Sequence, residues 1–530
     1  MSLMRQSLPV YKENTYKFYA QKSSDITTWE CHQHDQHFLN EFVKQLPPIL
    51  SRGIGRRYSQ IYSEKGRRNA NLFILGLSKK LKTLPNKIAM SMTYDDIRDM
   101  AKTISNSCSR IICVKKTDKQ AFASVKSFLS HSSLPFPSDK YDIAGRLARV
   151  ACPDWWTRQL RKILLRTAES IAIQANIVHR LAGIYASDQT VSVNEQARNR
   201  NRALLEQIDI VNEMGESFRL SEIVEHSQSN PKNRRAELMV RLAGFEQIAN
   251  KLGHISLFLT LTCPGSMHAS FSRSGQPNPK YKGFTPKESQ KYLSNLFAKI
   301  RSALHRRHIK PYGIRVAEPQ HDGTPHWHLL LFLPANQSND LLKVFNKYSL
   351  DVDGDEPGAQ EHRFKVVEID KEKGTAVGYI AKYISKNIDG FGIETDLYGK
   401  SAVTSSQRVN VWASTWGIRQ FQFIGGPPVS IWRECRRLDS EELDGLISEA
   451  VEAADIGNWA KFVEILGGPN AARKDRPIQL FRSDRGEKSR YGEAKVSAVI
   501  GIRNNDELAI SREHKWEIQI ANREEGLIAD

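Results

Sequence analysis

Two histidines separated by one tryptophan, His326 and His328 around Trp327, are the residues of this sequence best suited to bind a metal ion. The apolar run that follows them ends at Pro334 and predicts a strand buried on both faces. Because alternate residues of a strand share a face, we expect both imidazoles to point away from Trp327. Such a pair is half of a divalent-metal site, although a histidine pair taken alone is more often structural.

A carboxylate that could complete the site lies on the preceding predicted strand, Tyr312–Pro319. A polar turn rich in Asp-Gly signals joins the two strands, so we expect an antiparallel hairpin. If Glu318 pairs opposite His326, its carboxylate lies beside both imidazoles. This donor set suits Mg²⁺ or Mn²⁺ acting on a phosphate, or Zn²⁺. A one-residue slip would turn Glu318 away, and His321 or Asp322 would then replace it.

A possible nucleophile lies on a predicted helix in the segment Gly374–Asn387. Its apolar stripe consists of Val377, Ile380, Ala381, Ile384 and Ile388. Tyr379, Tyr383 and Lys386 fall on the opposite face, with Lys382 at its edge. Two tyrosines one helical turn apart, with lysines beside them, could be a nucleophile pair with phosphate-binding cations. The alternative is a pair of surface tyrosines on an amphipathic helix.

The order of these motifs resembles that of the HUH endonucleases of rolling-circle replication, and most closely the phage replication gene A endonucleases. The resemblance covers roughly residues 150–440. The stretches that carry it are 230–239, 258–264, 321–328, 379–387 and 412–421.

The resemblance implies an α+β protein whose HUH domain has a central antiparallel sheet flanked by helices. It implies a site-specific single-strand DNA endonuclease, a nickase and strand transferase, that initiates rolling-circle replication of phage or prophage DNA. Mg²⁺ or Mn²⁺ held by the two histidines and Glu318 would polarise the scissile phosphate. Tyr379 or Tyr383 would attack it, leaving a 5′-phosphotyrosine and a free 3′-hydroxyl, with Lys382 and Lys386 neutralising charge.

The charge balance favours nucleic acid as the partner. The chain has 77 Lys and Arg against 59 Asp and Glu, a formal net charge of +18. Two adjacent tryptophans, Trp155 and Trp156, open an arginine-rich helix and either stack bases or, more commonly, straddle core and surface. The arginines predicted to contact single-stranded or supercoiled origin DNA are Arg158, Arg161, Arg234 and Arg235.

Other features bear on compartment and partners. The six cysteines form no zinc pattern, and residues 1–11 lack the apolar core of a signal peptide. No apolar run approaches a membrane span, so we expect the cytoplasm of a bacterial host and no membrane partner. Gly399-Lys400-Ser401 suggests a phosphate loop, but Glu394 stands where that loop needs glycine. The absence of a motor motif implies a borrowed host replicative helicase.

The predicted division has four parts: a mainly helical region at 1–150, a basic helical region that could bind DNA at 151–252, the HUH endonuclease domain at 253–437, and a C-terminal region of unknown role at 438–530. Three alternatives stay open at this stage. The protein could be an HUH relaxase, an HUH transposase, or a non-enzymatic DNA-binding replication factor with a structural histidine pair.

Overall fold

The computed structural model describes residues 26–86, 88–369, 374–395, 401–484, 486, 488–494, 497–505 and 507–520. Residues 1–11 and the Gly399-Lys400 pair, which the sequence analysis used, therefore lie outside the described residues. The chain forms two compact units. The first unit comprises residues 1–192, 269–278 and 488–494, and the second comprises 193–268, 279–487 and 495–530. The predicted division by role at 150, 252 and 437 uses different limits and stays a prediction.

The first unit is built from helices, as predicted for its N-terminal part. They are α1 Ile26–Val43, α2 Pro48–Leu81, α3 Tyr94–Cys113, α4 Asp118–His131, α5 Ile143–Val150 and α6 Pro153–Gln174, and α7 Asp188–Leu205 continues into the second unit. Sequence signals fix their ends; for example, Thr93 and Asp96 form a capping box at the start of α3. Trp156 is fully buried, and its indole N–H donates to the Val150 carbonyl at 2.8 Å. Trp155 is also buried and meets Trp156 edge to face, so both rings pack in the core; neither base stacking nor the straddling of core and surface is observed.

Within the residues that the structure describes, the second unit contains three antiparallel sheets with helices packed on them. Its further helices are α8 Leu220–His226, α9 Pro231–Lys251, α10 Pro286–Arg306, α11 Ser338–Ser349, α12 Ala359–His362, α13 Ala376–Ile388, α14 Ala402–Trp416, α15 Val429–Cys435, α16 Gly445–Asp455 and α17 Trp459–Ile465. Its strands are β1 Ile208–Asn212, β2 Ser217–Arg219, β3 Ile255–Thr262, β4 Tyr312–Pro319, β5 Pro325–Leu333, β6 Phe364–Glu368, β7 Phe421–Ile424, β8 Gln479–Ser483, β9 Ala498–Arg503, β10 Leu508–Ile510 and β11 Trp516–Ile520.

The largest sheet has five antiparallel strands in the order β6-β3-β5-β4-β7. Strand β5, which carries the two histidines, is central and is buried on both faces, as its unbroken apolar run predicted. Alternate residues of β5 point in opposite directions. On one face, Leu330 and Phe332 pack with residues of α9 and α13 in the main core. On the opposite face, Trp327 is buried against Phe297 of α10, and its indole N–H donates to Gln290 Oε1 at 3.0 Å.

The C-terminal part contributes to the same core as the main sheet. Trp459 and Phe462 of α17, together with Ile502 of β9, are fully or almost fully buried in the cluster that includes Phe245 of α9. Strand β11 also pairs with β1, which precedes the main sheet by some forty residues of chain. The predicted C-terminal region is therefore part of the second unit, apart from residues 488–494, which belong to the first unit. None of the helices among the described residues is both long and apolar enough to cross a membrane.

Candidate active site

The β4–β5 hairpin brings one carboxylate and two imidazoles together. Glu318 pairs with His326 and Val316 pairs with His328, so the predicted register is confirmed. The Nε2 atoms of His326 and His328 lie 3.3 and 3.1 Å from Glu318 Oε2. One potential ligand atom from each of the three residues lies within 4.8 Å of the others. The sheet backbone therefore presents three convergent donors on one face.

The Glu318 carboxylate is ionised inside the protein because of its neighbours. It is 1% exposed, and such burial by itself opposes ionisation. The buried Lys386 ammonium, 2.5 Å from Oε1, and hydrogen bonds with His326 and His328 outweigh this cost. Together they hold the pKa of Glu318 well below its usual range. Lys386 therefore balances the charge of the carboxylate at Oε1, while Oε2 faces the two imidazoles.

Both imidazoles are held by a partner on their second ring nitrogen. Thr260 Oγ1 lies 3.0 Å from His328 Nδ1, and Gln320 Nε2 lies 3.2 Å from His326 Nδ1. Burial first, and then the neighbouring His328, lower the pKa of His326 to about 4, so this ring is neutral at physiological pH. The Thr260 hydroxyl can donate to His328 Nδ1 or accept from it, so it supports either tautomer of that ring. The Gln320 amide nitrogen can only donate to His326 Nδ1, and its side chain would support the other tautomer only after a flip that presents Oε1.

This donor set fits a divalent cation. Two imidazoles and one ionised carboxylate are the ligand types that Mn²⁺ and Zn²⁺ share, and Mg²⁺ also accepts the carboxylate. Partners such as Thr260 and Gln320 on the far nitrogens are usual for metal-bound histidines, because they fix ring orientation. The residues that would hold the ion are Glu318, His326 and His328.

The tyrosine helix lies against this site through Tyr383. Its ring centroid is 4.0 Å from that of His328 and 5.4 Å from that of Phe258. Burial, followed by the charge of Glu318, raises the pKa of Tyr383, so the phenol stays protonated at neutral pH. Tyr379, one turn earlier on α13, is half-buried and has no ring contact with any described residue. The two tyrosines thus lie one turn apart on α13, and Tyr383 has the recorded ring contact with His328.

Helix α9 holds α13 at both ends. Glu246 of α9 accepts hydrogen bonds from the Ala376 and Val377 amides, at 2.6 and 3.4 Å, in the first turn of α13. A carboxylate at this position also complements the positive end of the helix dipole. After the last turn, Asp389 accepts from Arg235 of α9 at 2.5 Å. The position of the tyrosine face relative to the sheet is therefore set by two polar contacts as well as by apolar packing.

The other predicted site residues lie in different surroundings. Lys386 is not a solvated phosphate contact in this structure, because it is buried and paired with Glu318, whereas Lys382 is exposed. His321 and Asp322 are buried in the hairpin turn, where Asp322 faces His268 at 3.4 Å and accepts from the Thr324 amide. His321 and Asp322 are not among the three convergent donors. Neither therefore replaces Glu318 as a potential ligand, as a slipped register would have required.

The predicted DNA-contacting arginines fall in both units. In the first unit, Arg158 is exposed and donates to Tyr491 Oη at 2.7 Å, and Arg161 lies over the Tyr94 ring. In the second unit, Arg234 lies over the Phe421 ring, and Arg235 is engaged by Asp389. These contacts occupy Arg235 in particular, and DNA contact by the four arginines stays a prediction.

Sequence reasoning missed four residues that support the site: Thr260, Gln320, Glu246 and Arg235 in its structural role. Thr260 had a usable signal, because a register between β3 and β5 places it directly opposite His328. Gln320 lies two residues after Glu318 and could have been found from the hairpin turn. Glu246 had no signal in the sequence, because its contact is with Ala376, 130 positions later in the chain.

The chain is similar to several phage proteins over most of its length. It is 42% identical over 389 residues to the replication protein of Haemophilus phage HP1. This alignment covers 71% of this chain and 49% of that relative. It is 33% identical over 514 residues to a probable replication protein of Pseudoalteromonas phage PM2, covering 93% of this chain and 77% of the relative. A probable replication endonuclease from a prophage-like region of Salmonella paratyphi A is 35% identical over 373 residues, covering 66% of this chain and 46% of the relative.

The aligned part of the chain thus spans about half the length of the Haemophilus phage and Salmonella relatives. No solved structure is significantly similar to the chain. The family model of the bacteriophage replication gene A protein matches residues 80–391, which include the histidine hairpin and the tyrosine helix. On this match and on the phage PM2 similarity, the chain belongs to the bacteriophage replication gene A protein family.

Proposed function

We propose that this protein is a site-specific single-strand DNA endonuclease and strand transferase that initiates rolling-circle replication of phage or prophage DNA. The observation that carries the proposal is the contact between Tyr383 and His328, 4.0 Å between ring centroids, beside three convergent metal-type donors. This contact brings a side chain that could act as the nucleophile, Tyr383, next to a site that could bind a metal ion and a phosphate. The name of the Salmonella relative, a probable replication endonuclease, agrees with nuclease chemistry.

Glu318, His326 and His328 would hold Mg²⁺ or Mn²⁺, and the bound ion would supply positive charge to a scissile phosphate. Strand β5 is central and buried, so the imidazoles are held rigidly. Rigid placement of groups around a reacting phosphate is itself a large part of catalysis. Thr260 and Gln320 contribute by fixing the two rings from behind.

Tyr383 is the better placed of the two tyrosines to attack first. Its phenolic oxygen would form a bond to phosphorus while the bond from phosphorus to the 3′ oxygen breaks. The phenol loses its proton, and the departing oxygen gains one to become a 3′-hydroxyl. The products are a 5′-phosphotyrosine and a primer end, and the phosphodiester energy is kept for religation without ATP.

Tyr379 would perform the second cleavage that closes a replication round, when the first tyrosine is still bonded to the parental 5′ end. One helical turn separates the two residues, which places both on one face of α13. The contacts of Glu246 and Arg235 at the two ends of α13 keep that face in place. Exposed Lys382 could neutralise the phosphate during attack, and Lys386 could do so after release from Glu318.

The proposed substrate is single-stranded or supercoiled origin DNA, in keeping with the formal net charge of +18. The arginines proposed to contact it are Arg158 and Arg161 in the first unit and Arg234 in the second; Arg235 would have to leave Asp389 to do so. Strand separation would come from a host replicative helicase, and the reaction would take place in the cytoplasm of a bacterial host.

A nicking assay tests the proposal. Supercoiled DNA that carries the replication origin of the source replicon is incubated with the protein and Mg²⁺ or Mn²⁺. We expect open circles with the unaltered protein, and none in EDTA or with the variant that carries both Tyr379→Phe and Tyr383→Phe. Binding without open circles under all metal conditions would instead favour a non-enzymatic replication factor. Cleavage that persists in the double tyrosine variant would also refute the proposed chemistry.

A further inference from the structure

The positive charge of the chain is concentrated in the first unit. That unit contains 33 Lys and Arg against 16 Asp and Glu, whereas the second unit contains 44 against 43. The first unit therefore carries +17 of the formal net charge of +18, although Glu318, His326 and His328 belong to the second unit. Attraction to phosphates is the sequence-independent part of DNA affinity, and it depends on such charges. We therefore expect the first unit to supply most of that affinity.

Helices α3 and α6 of the first unit bring arginines together around one exposed ring. Tyr94, at the start of α3, is 40% exposed. The guanidinium carbons of Arg98 on α3 and Arg161 on α6 lie 6.0 and 5.4 Å from the centroid of the Tyr94 ring. Arg158 is exposed and precedes Arg161 by one turn on the same side of α6. Two helices thus contribute three arginines to one part of the surface.

A distant segment of the chain adds a fourth arginine. Residues 488–494 belong to the first unit, and two contacts hold them there. Glu493 accepts from both terminal nitrogens of the buried Arg149, at 2.7 and 2.8 Å, which is a bidentate pair. Tyr491 Oη accepts from Arg158 at 2.7 Å. These contacts place Arg490 beside the first turn of α6.

Arg98, Arg158, Arg161 and Arg490 form what we call the arginine cluster. The carboxylate that contacts the cluster is Asp154, whose Oδ2 accepts from Arg490 Nη2 at 2.8 Å. This hydrogen bond, and then the charges of Arg158 and Arg98, lower the pKa of Asp154. One carboxylate balances one of the four guanidinium groups, so the cluster keeps an excess of positive charge.

The aspartates of α3 do not share the face that carries Tyr94 and Arg98. Asp95 and Asp96 follow Tyr94 directly, and side chains one or two residues apart on a helix do not face each other. Asp96 also closes the capping box at the start of α3, and Asp99 pairs with a lysine of the same helix at 3.1 Å. The arginine cluster is therefore available to an external anion.

The shortage of exposed rings indicates which form of nucleic acid this surface fits. In the described part of the first unit, the exposed aromatic side chains are Tyr94 and Phe271, because Trp155 and Trp156 are buried. Proteins that hold single strands stack unpaired bases on such rings. A duplex instead keeps its bases inside and presents phosphates, to which guanidinium groups donate. A surface rich in arginine and poor in rings suits the backbone of a duplex.

We propose that the arginine cluster is a docking surface for the phosphate backbone of double-stranded DNA. The first unit would hold paired DNA there, and the second unit would act on an unpaired phosphate. The identification of the bound duplex as part of the replication substrate rests on the proposed function. Duplex binding itself requires neither a metal ion nor cleavage.

The experiment measures binding of the full chain to a fluorescein-labelled duplex of about 20 base pairs and to one of its strands, by fluorescence anisotropy in EDTA. The cluster variant carries Arg158→Gln and Arg490→Gln, which change two exposed side chains. The matched control carries Arg52→Gln and Arg110→Gln, two exposed arginines of the same unit outside the cluster. For the duplex we expect about a tenfold loss of affinity in the cluster variant and less than about twofold in the control.

The salt dependence gives a second readout. Loss of two phosphate contacts should reduce the log–log slope of duplex affinity against NaCl concentration by about 1.8. The loss for the single strand should be several times smaller than the loss for the duplex. Equal losses in the cluster variant and the control would overturn the proposal, because they would indicate general attraction to a basic unit. A loss for the single strand as large as that for the duplex would also overturn it.

Asp154→Asn tests the same surface with the opposite sign. It removes the carboxylate that contacts the cluster, so the affinity for the duplex should rise about threefold. An unchanged or lower affinity would contradict the proposal. Far-ultraviolet circular dichroism identifies any variant that has lost its fold, and a gain in affinity cannot arise from misfolding.

The outcome is separable from that of the proposed function. If no DNA is nicked with any metal ion but the cluster variant loses duplex affinity as expected, the proposed function fails and the docking surface stands. If DNA is nicked but the cluster variant binds the duplex as well as the control does, the docking surface fails and the proposed function stands.

Discussion

Replacement of Lys386 by methionine should destabilise the second unit mainly when no divalent ion is present. The Lys386 ammonium lies 2.5 Å from Glu318 Oε1, and both side chains are buried. Removal of one partner from a buried ion pair typically costs about 3–5 kcal/mol, because the remaining charge is left uncompensated. The two imidazoles remain hydrogen-bonded to Glu318, so we expect a loss of about 3 kcal/mol in EDTA, at the lower end of that range.

A bound divalent cation should reduce this loss. Without Lys386, one positive charge fewer repels the bound ion at Glu318, so we expect the metal affinity to rise about tenfold. A tenfold gain in metal affinity corresponds to about 1.4 kcal/mol. At saturating Mn²⁺ the gain adds directly to the free energy of unfolding. The deficit of Lys386→Met should therefore fall from about 3 kcal/mol in EDTA to about 1.5 kcal/mol in Mn²⁺.

Urea denaturation in EDTA and in Mn²⁺ gives these free energies, and isothermal titration calorimetry gives the metal affinity. The matched control is Lys382→Met, which removes an exposed lysine from the same helix and should change the stability by less than about 0.5 kcal/mol. The reasoning fails if both variants are equally destabilised. It also fails if the deficit of Lys386→Met is the same with and without metal.

Three further changes probe the same site. His326→Ala with His328→Ala should abolish nicking and calorimetric Mn²⁺ binding but leave DNA affinity nearly intact; nicking at the normal rate would refute the metal site. Tyr379→Phe and Tyr383→Phe should each retain some oligonucleotide cleavage, with the larger loss for Tyr383→Phe. Neither variant should release closed single-stranded circles in a replication assay, and a full yield of circles from one of them would show that the replaced tyrosine has only a structural role. Glu246→Ala should slow nicking without changing Mn²⁺ affinity, because it frees the start of α13, and Glu246→Gln should restore most of the rate; a shift in metal affinity would contradict this positioning role.

The part of the site that the sequence predicted depends on strand geometry. The pattern of β5 predicted burial on both faces, and its two-residue period predicted that the imidazoles share a face. The short, polar turn then limited the hairpin register, which placed Glu318 opposite His326 as expected. Local periodicity also predicted the apolar stripe of α13, whose Ile380 and Ile384 are fully buried.

The part that the sequence did not predict depends on contacts between distant segments. Helix periodicity places Lys386 on the polar face of α13, but it cannot indicate that this face lies against a buried carboxylate 68 positions earlier rather than against water. The contact of Glu246 with the start of α13 is also long-range. The burial of Trp156 follows from the packing of the first unit, which composition alone does not determine.

The most direct test of the central claim is the chemical identity of the protein–DNA bond. The protein is incubated with Mn²⁺ and a single-stranded oligonucleotide that contains the cleavage site, the complex is digested with protease and nuclease, and the peptides are sequenced by mass spectrometry. We predict a nucleotide attached through its 5′-phosphate to Tyr383, with a smaller fraction on Tyr379. Cleaved DNA with no covalent peptide, or with a covalent bond to a residue outside α13, would contradict the account.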